Sequence, residues 1–121
     1  MDTDLQNHFL RLRPQISEVF LTKHFKRDVK DVYEEEAIIR SVMDSSHEDF
    51  TELHKFEEKI KNMMVFRAKR GTHHFVYAVD GTRIVFLRMV RNFEEYRLFL
   101  EEKREIEAMA ESHNLIRFKW Q

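Results

Sequence analysis

Short runs rich in Val, Phe, Tyr, Ile and Met occupy the middle of the chain, separated by its only two glycines, Gly71 and Gly81. β-branched and aromatic runs bounded by turn residues are typical of strands, and Asp-Gly between two such runs is a strong hairpin signal. The pattern predicts a three-stranded antiparallel meander, with strands at 63–70, 72–79 and 82–90 and a tight turn at Asp80-Gly81.

Before the meander, apolar positions recur mainly at three- and four-residue steps, which is typical of helices. We expect a short helix over about 3–11 that Pro14 stops, then a strand at 16–22. A helix over 23–43 follows and allows a break near Glu34. Ser46 and Asp49 then fit the start of a second short helix, carrying Phe50, Leu53 and Phe56.

After the meander, Asn92 fits the N-cap of a helix over 93–111, with Glu95 three residues later. The tail at 115–121 alternates apolar and basic residues, as a last strand or a docked segment does. Helices and a mostly antiparallel sheet in separate parts of the chain indicate an α+β fold. We expect one domain over 1–121, in which the meander at 63–90 and an N-terminal strand pack against helices.

Composition narrows the class of protein. The chain has no Cys, which excludes disulfides, a thiol nucleophile and Cys-based zinc sites. No apolar run is long enough for a membrane span, and the polar, acidic N-terminus resembles neither a signal nor a transit peptide. We expect a soluble cytoplasmic protein that does not contact membranes.

Charge is divided unevenly along the chain. Residues 28–58 carry three bases and eleven acids, whereas residues 63–92 carry six bases and one acid. The predicted sheet is therefore also the basic surface, and a polyanion is attracted to it.

Strand alternation places Arg67 and Lys69 on one face of the first meander strand, where both can bind phosphate. His73 and His74 follow the Gly71 turn and point to opposite faces, so one of them joins that pair. A histidine can move protons near neutral pH. Adjacent strand residues diverge and no third ligand is placed, so we expect no metal site and no cofactor.

Three segments together resemble the RelE/ParE superfamily of bacterial and archaeal toxins, over about residues 16–100. Residues 19–29 (VFLTKHFKRDV) are similar to the first strand and the following helix of that family. Residues 67–77 (RAKRGTHHFVY) are similar to its paired basic strands. Residues 84–87 (IVFL), followed by Arg91, Asn92, Phe93 and Tyr96, are similar to its last core strand and C-terminal Arg…Tyr segment.

The resemblance implies a ribosome-dependent endoribonuclease, which cuts mRNA by attack of a ribose 2′-hydroxyl on the adjacent phosphate. Aligned on Tyr77, His74 stands where the family usually has Arg, which weakens phosphate binding there and offers a proton-transfer group. The expected catalytic residues are His74, Arg91, Tyr96 and Lys69, and the expected RNA-binding residues are Arg67, Arg70, Arg83 and Arg88. The alternative is a non-catalytic protein of the same fold: a ParE-like gyrase inhibitor, or a member that only pairs with its antitoxin.

In either case the resemblance implies a cognate antitoxin as partner, beside mRNA and the ribosome for the enzyme. Apolar side chains occupy both odd- and even-numbered positions of the meander strands, for example Val65 and Phe66, so both faces of the sheet are apolar. One face has to pack on the helices of the chain itself. We expect the other face to leave apolar surface that the antitoxin covers.

Overall fold

The computed structural model describes Arg11, residues 15–44 and residues 54–119. The strands within these residues are β1 (Glu18–Leu21), β2 (His54–Ile60), β3 (Met63–Arg70), β4 (His73–Asp80), β5 (Arg83–Val90) and β6 (Ile116–Arg117). The helices are α1 (Lys23–Asp28), α2 (Val32–Met43), α3 (Phe93–Glu101) and α4 (Lys103–Ala110).

The strands form one six-stranded sheet in the order β2-β3-β4-β5-β1-β6. β1 runs parallel to β5, and the other neighbouring strands in the sheet are antiparallel. The α+β fold predicted from the sequence is therefore confirmed, and the predicted meander corresponds to β3, β4 and β5 within one residue at each end.

The turns of the meander differ by one position from the prediction. The residues that connect the strands are Gly71-Thr72 and Gly81-Thr82, rather than Asp80-Gly81. Each glycine has φ near +62°, and neither threonine has a positive φ. A positive φ at only the first central residue is the pattern of a type II′ hairpin turn, which glycine adopts without strain.

Side-chain alternation gives the sheet two apolar faces. The first face packs Phe66, Phe75 and Tyr77 against α1 and α2, which contribute Phe25 and Ile38. The buried residues of the second face include Val65, Val76, Ala78, Val85 and Leu87, and they pack against Tyr96 and Phe99 of α3 and Ile106 and Met109 of α4.

The expectation of an open apolar face is therefore wrong, because α3 and α4 cover the second face with apolar side chains of the chain itself. The predicted helix over 93–111 is also two helices, which meet at Glu102, where the backbone leaves the helical region at φ −89° and ψ 62°.

The helix predicted over 23–43 divides at 29–31, before Glu34, because Asp31 caps α2 by accepting hydrogen bonds from the backbone N–H groups of Tyr33 and Glu34. Phe56 lies in strand β2 and not in a helix. The β2 pairing is irregular between Phe56 and Glu58, which breaks the simple alternation that marks a strand in sequence.

The predicted helix over 3–11, except Arg11, and the residues 46–53 of the predicted second short helix lie outside the described residues, as do Trp120 and Gln121. Among the described residues, no helix is long and apolar enough to span a membrane.

Candidate functional site

The candidate site lies on the second face, where β3 ends and β4 begins. Alternation on β3 places Arg67 and Lys69 on the same face as Val65, and His74 follows on β4 with the parity of Val76. Lys69 lies directly opposite His74 in the β3–β4 pairing, and Val90 of β5 lies opposite His74 on its other side. The structure thus brings together three of the residues expected from the sequence.

The first turn of α3 adds two aromatic rings to this group. The rings of His74 and Tyr96 are stacked, with centroids 5.3 Å apart and planes 18° apart. The guanidinium carbon of Arg67 lies 5.1 Å from the centroid of the Tyr96 ring, which is a cation–π distance. Phe93 contacts both rings, at 6.2 Å from His74 and 5.9 Å from Tyr96. We call Arg67, Lys69, His74, Phe93 and Tyr96 the aromatic–basic cluster.

Burial sets the protonation of the two central side chains. His74 is 8% exposed and Tyr96 2% exposed. Burial lowers the pKa of His74, and the positive charges of Arg67, Lys69 and His73 lower it further, so His74 is held in its neutral form. Burial also raises the pKa of the Tyr96 phenol, and the carboxylate of Glu57 adds to that effect, so Tyr96 stays protonated.

Two polar atoms in the cluster have no hydrogen-bond partner of ordinary geometry: Nδ1 of His74 and the hydroxyl oxygen of Tyr96. Glu57 is near enough to raise the pKa of Tyr96 without completing such a bond. A buried polar group without a partner costs stability, so a site that keeps two of them suggests a use for these atoms.

Glu57 is a site residue that sequence reasoning missed. It lies two positions after Lys55, which pairs with Arg67, so strand alternation brings Glu57 to the second face. Its Oε1 lies 3.2 Å from Nε of Arg67, and both side chains are about a quarter exposed. The carboxylate thus holds Arg67 beside the Tyr96 ring. Because the sequence pattern around Phe56 predicted a short helix, strand alternation was not applied to Glu57.

Exposed cations surround the cluster at this end of the sheet. The side chains of Lys69, Arg70 and Arg91 are exposed, and in the described part of the chain they form no ion pair. Arg70 has the opposite parity to Lys69, so it belongs to the first face, and Arg91 follows directly after β5. A cavity of about 550 Å³ has His73 and Arg91 among its lining residues, together with Arg27 of α1 and Lys30, which follows α1. Four acids also line it: Asp28, Asp31, Glu34 and Glu95.

The other two arginines expected to bind RNA are engaged elsewhere. Nε of Arg88 lies 2.7 Å from Oδ2 of Asp28, a carboxylate oxygen that also accepts a hydrogen bond from the backbone N–H of Met89. Arg83 lies at the opposite end of the sheet, beside the Gly81 turn, where it pairs with Asp80. The structure therefore does not bring Arg83 to the cluster.

No group of three or more His, Asp or Glu side chains that could hold a metal ion occurs among the residues that the structure describes. What the site offers is phosphate-binding cations, one neutral histidine and one protonated tyrosine. That set suits proton transfer and charge stabilisation at a phosphate.

No protein-family model matches this chain, and no curated protein matches its sequence. A solved structure does match: the archaeal RelE-RelB complex from Pyrococcus horikoshii OT3, with a TM-score of 0.51 and 14% sequence identity. The alignment covers 97% of that chain and 64% of this one, so this protein carries substantial additional chain. At this identity the likeness concerns the fold, and the fold of this chain is RelE-like.

Proposed function

We propose that this protein is the toxin of a toxin–antitoxin pair and an endoribonuclease that cleaves mRNA on the ribosome. The observation that carries the proposal is the aromatic–basic cluster, in which Lys69 lies opposite His74, the His74 ring stacks on Tyr96, and Arg67 lies over the Tyr96 ring. The RelE-like fold supports the proposal, because the resemblance to the RelE/ParE toxins implies this activity.

The chemistry follows from the protonation of the cluster. Neutral His74 accepts the proton of a ribose 2′-hydroxyl as the 2′-oxygen bonds to phosphorus, and the bond from phosphorus to the 5′-oxygen breaks. Protonated Tyr96 supplies a proton to the leaving 5′-oxygen, so the products are a 2′,3′-cyclic phosphate and a 5′-hydroxyl. Lys69 and Arg67 stabilise the added charge on the phosphate oxygens, and Arg91 binds the RNA beside them.

This chemistry requires a change at the first turn of α3. His74 is 8% exposed and stacked on Tyr96. A general base has to come within hydrogen-bond distance of the proton it takes. The side chains of His74 and Tyr96 therefore have to separate when RNA binds, which also frees the unpaired Nδ1 of His74.

The test is induced expression in a bacterial host, with primer extension on a reporter mRNA. We expect growth arrest and cleavage within the translated region, with a large loss of both in His74→Gln, Lys69→Ala and Arg91→Ala. Lys59→Ala is the matched control, since Lys59 is an exposed strand lysine on β2, away from the cluster. Cleavage at the wild-type level in the His74, Lys69 and Arg91 variants would refute the catalytic assignment.

A second function is favoured by the burial of the same residues. His74 and Tyr96 lie under α3 and stack on each other, which also suits a purely structural core. Under this alternative the protein is non-catalytic: a ParE-like gyrase inhibitor, or a member that only pairs with its antitoxin. Growth arrest with intact mRNA and with DNA-damage signalling would favour the gyrase inhibitor. A harmless protein that still binds its partner would favour the inactive member.

An antitoxin partner is part of both functions, and it is supported by the likeness to RelE, which was crystallised with RelB. We expect a polypeptide encoded beside this protein to co-purify with it and to suppress its toxicity. Action on mRNA places the protein in the cytoplasm. A chain that is harmless and stably monomeric when expressed alone would count against the pairing.

A further inference from the structure

Phe93 is an exposed aromatic ring at the edge of an otherwise buried cluster. It is 56% exposed, whereas its two ring neighbours, His74 and Tyr96, are almost fully buried. The backbone at this position is held by local structure: Asn92 caps α3 by accepting a hydrogen bond from the backbone N–H of Glu95 at 2.9 Å. Phe93 is therefore fixed as the first residue of α3, directly after the end of β5.

The position that a stacked ring would take on Phe93 is not filled by its neighbours. The plane of Phe93 meets the planes of His74 and Tyr96 at 69° and 51°. Parallel stacking, which does occur between His74 and Tyr96, does not occur with Phe93. An exposed aromatic ring without a stacked partner offers an apolar face of the size of a nucleobase.

The charges around Phe93 identify the class of ligand. Arg91 lies two residues before it, and Lys69 lies opposite its neighbour His74. Both cations are exposed and form no ion pair within the described residues. Of the two acids that follow Phe93, Glu94 pairs with Arg97, and Glu95 accepts a hydrogen bond from the backbone N–H of Arg91. Aromatic rings for the bases, set among cations for the phosphates, are the combination with which proteins hold single-stranded nucleic acid.

We propose that Phe93 is a stacking platform for an unpaired base of single-stranded RNA, next to the phosphate that Lys69 and Arg91 bind. The assignment rests on the proposed function for the identity of the phosphate, and it adds a base-binding subsite to that site. Tyr33 provides the contrast. It is 85% exposed at the start of α2, and acids follow it as they follow Phe93, but within the described residues it contacts no other aromatic ring and lies outside the aromatic–basic cluster.

The test measures binding without cleavage. The probe is a short single-stranded oligoribonucleotide whose 2′-hydroxyls are methylated, so that the 2′-oxygen cannot attack, and affinity is measured at low salt by fluorescence anisotropy. Phe93→Ala should weaken binding about tenfold, the effect of removing one stacked base, and Phe93→Trp should restore it. Tyr33→Ala, the matched loss of an exposed ring, should leave affinity unchanged.

A second series separates stacking from a change in packing. One abasic nucleotide is moved stepwise along the same oligonucleotide. At one position it should weaken wild-type binding about as much as Phe93→Ala does, and it should cause no further loss in the Phe93→Ala protein. A merely structural role of Phe93 would give additive losses at every position.

The outcomes distinguish this inference from the proposed function. If the wild-type protein binds the probe while Phe93→Ala binds equally well, the stacking assignment is wrong. It is also wrong if the losses from Phe93→Ala and from the abasic nucleotide are additive at every position. In either case the exposed Phe93 ring would be a contact for a protein partner. If no oligonucleotide binds, the stacking assignment is also wrong, and the cleavage assay alone decides the proposed function. Coupled binding without mRNA cleavage in cells would support the stacking assignment and refute the nuclease.

Discussion

His74 is a buried histidine whose Nδ1 has no hydrogen-bond partner. Burial lowers its pKa in the folded protein, with Arg67, Lys69 and His73 adding to the effect, so the unfolded chain binds more protons when the pH lies below about 6.5. The stability that neutral His74 contributes is present above that pH and is lost as the pH falls towards the folded pKa.

We therefore expect His74→Phe to gain stability relative to the wild type as the pH falls from about 8 to about 5. At about pH 8 the free energy of unfolding of His74→Phe should equal that of the wild type or exceed it by up to about 1 kcal/mol, because the substitution removes a buried unpaired nitrogen. Urea unfolding at several pH values measures this, with the exposed His113→Gln as control. Unfolding free energies of wild type and His74→Phe that run parallel across this range would contradict the expectation.

Glu57 and Arg67 form an ion pair at 3.2 Å in which both side chains are about a quarter exposed. We expect Glu57→Gln to lower the free energy of unfolding by about 1 kcal/mol, because it leaves the Arg67 charge partly buried without its partner. Glu94→Gln is the control, since Glu94 pairs with Arg97 at 2.8 Å with both side chains at least half exposed, where an ion pair adds little. Equal effects of the two substitutions in urea unfolding would argue against the role of Glu57.

At the scale of the element, Asn92 fixes the start of α3 and with it the cover over His74. We expect Asn92→Ala to cost about 1 kcal/mol, because the backbone N–H of Glu95 loses its acceptor. Hydrogen exchange should become faster in the first turn of α3, while Asn92→Asp should preserve the cap. Unchanged exchange over residues 93–96 in Asn92→Ala would mean that packing alone holds this turn.

The elements that rest on local patterns were predictable from the sequence. The three strands of the meander and the location of its turns at Gly71 and Gly81 follow from strand composition and turn residues. Asn92 was also recognised from the sequence as a helix N-cap. The break at Glu102 was not predictable, because Tyr96, Phe99, Ile106 and Met109 keep the spacing of one continuous helix across it. The apolar pattern carries no trace of a backbone that leaves the helical region at a single exposed residue.

The candidate site was also predictable from the sequence only in part. Alternation on β3 and β4 was enough to put Arg67 and Lys69 on one face with one of His73 and His74, and the resemblance selected His74. It did not place Glu57, because the pattern around Phe56 predicted a helix where the structure has strand β2. Nor could it show that Arg88 pairs with Asp28, since the two residues lie 60 positions apart.

For the whole molecule, α3 and α4 are structural components of the core on the second face. Ile106 is 1% exposed and packs in the cluster that includes Val76 and Leu87. We expect Ile106→Ala to lower the free energy of unfolding by about 2–4 kcal/mol in one cooperative transition. Leu98→Ala, at a half-exposed position on α3, should change it by less than about 0.5 kcal/mol.

A separate, earlier transition for α3 and α4 in the wild type, or a small effect of Ile106→Ala, would show that these helices unfold independently of the sheet. Monitoring circular dichroism in both the far and the near ultraviolet distinguishes the two cases, because the far-ultraviolet signal reports the helices and the sheet together and the near-ultraviolet signal reports the packing of the aromatic rings.

The position of β1 in the sheet imposes an order of assembly. β3, β4 and β5 meet through two-residue turns, whereas Glu18 of β1 pairs with Arg83, and the Thr22 hydroxyl reaches the Leu87 carbonyl across 65 positions of sequence. β6 pairs with β1 and therefore docks only after it. We therefore expect the hairpins to form first and the closing of the long loop to β1 to limit the rate of folding. During synthesis β1 cannot pair with β5 until β5 has left the ribosome, and we expect β1 to stay accessible to chaperones and proteases until then.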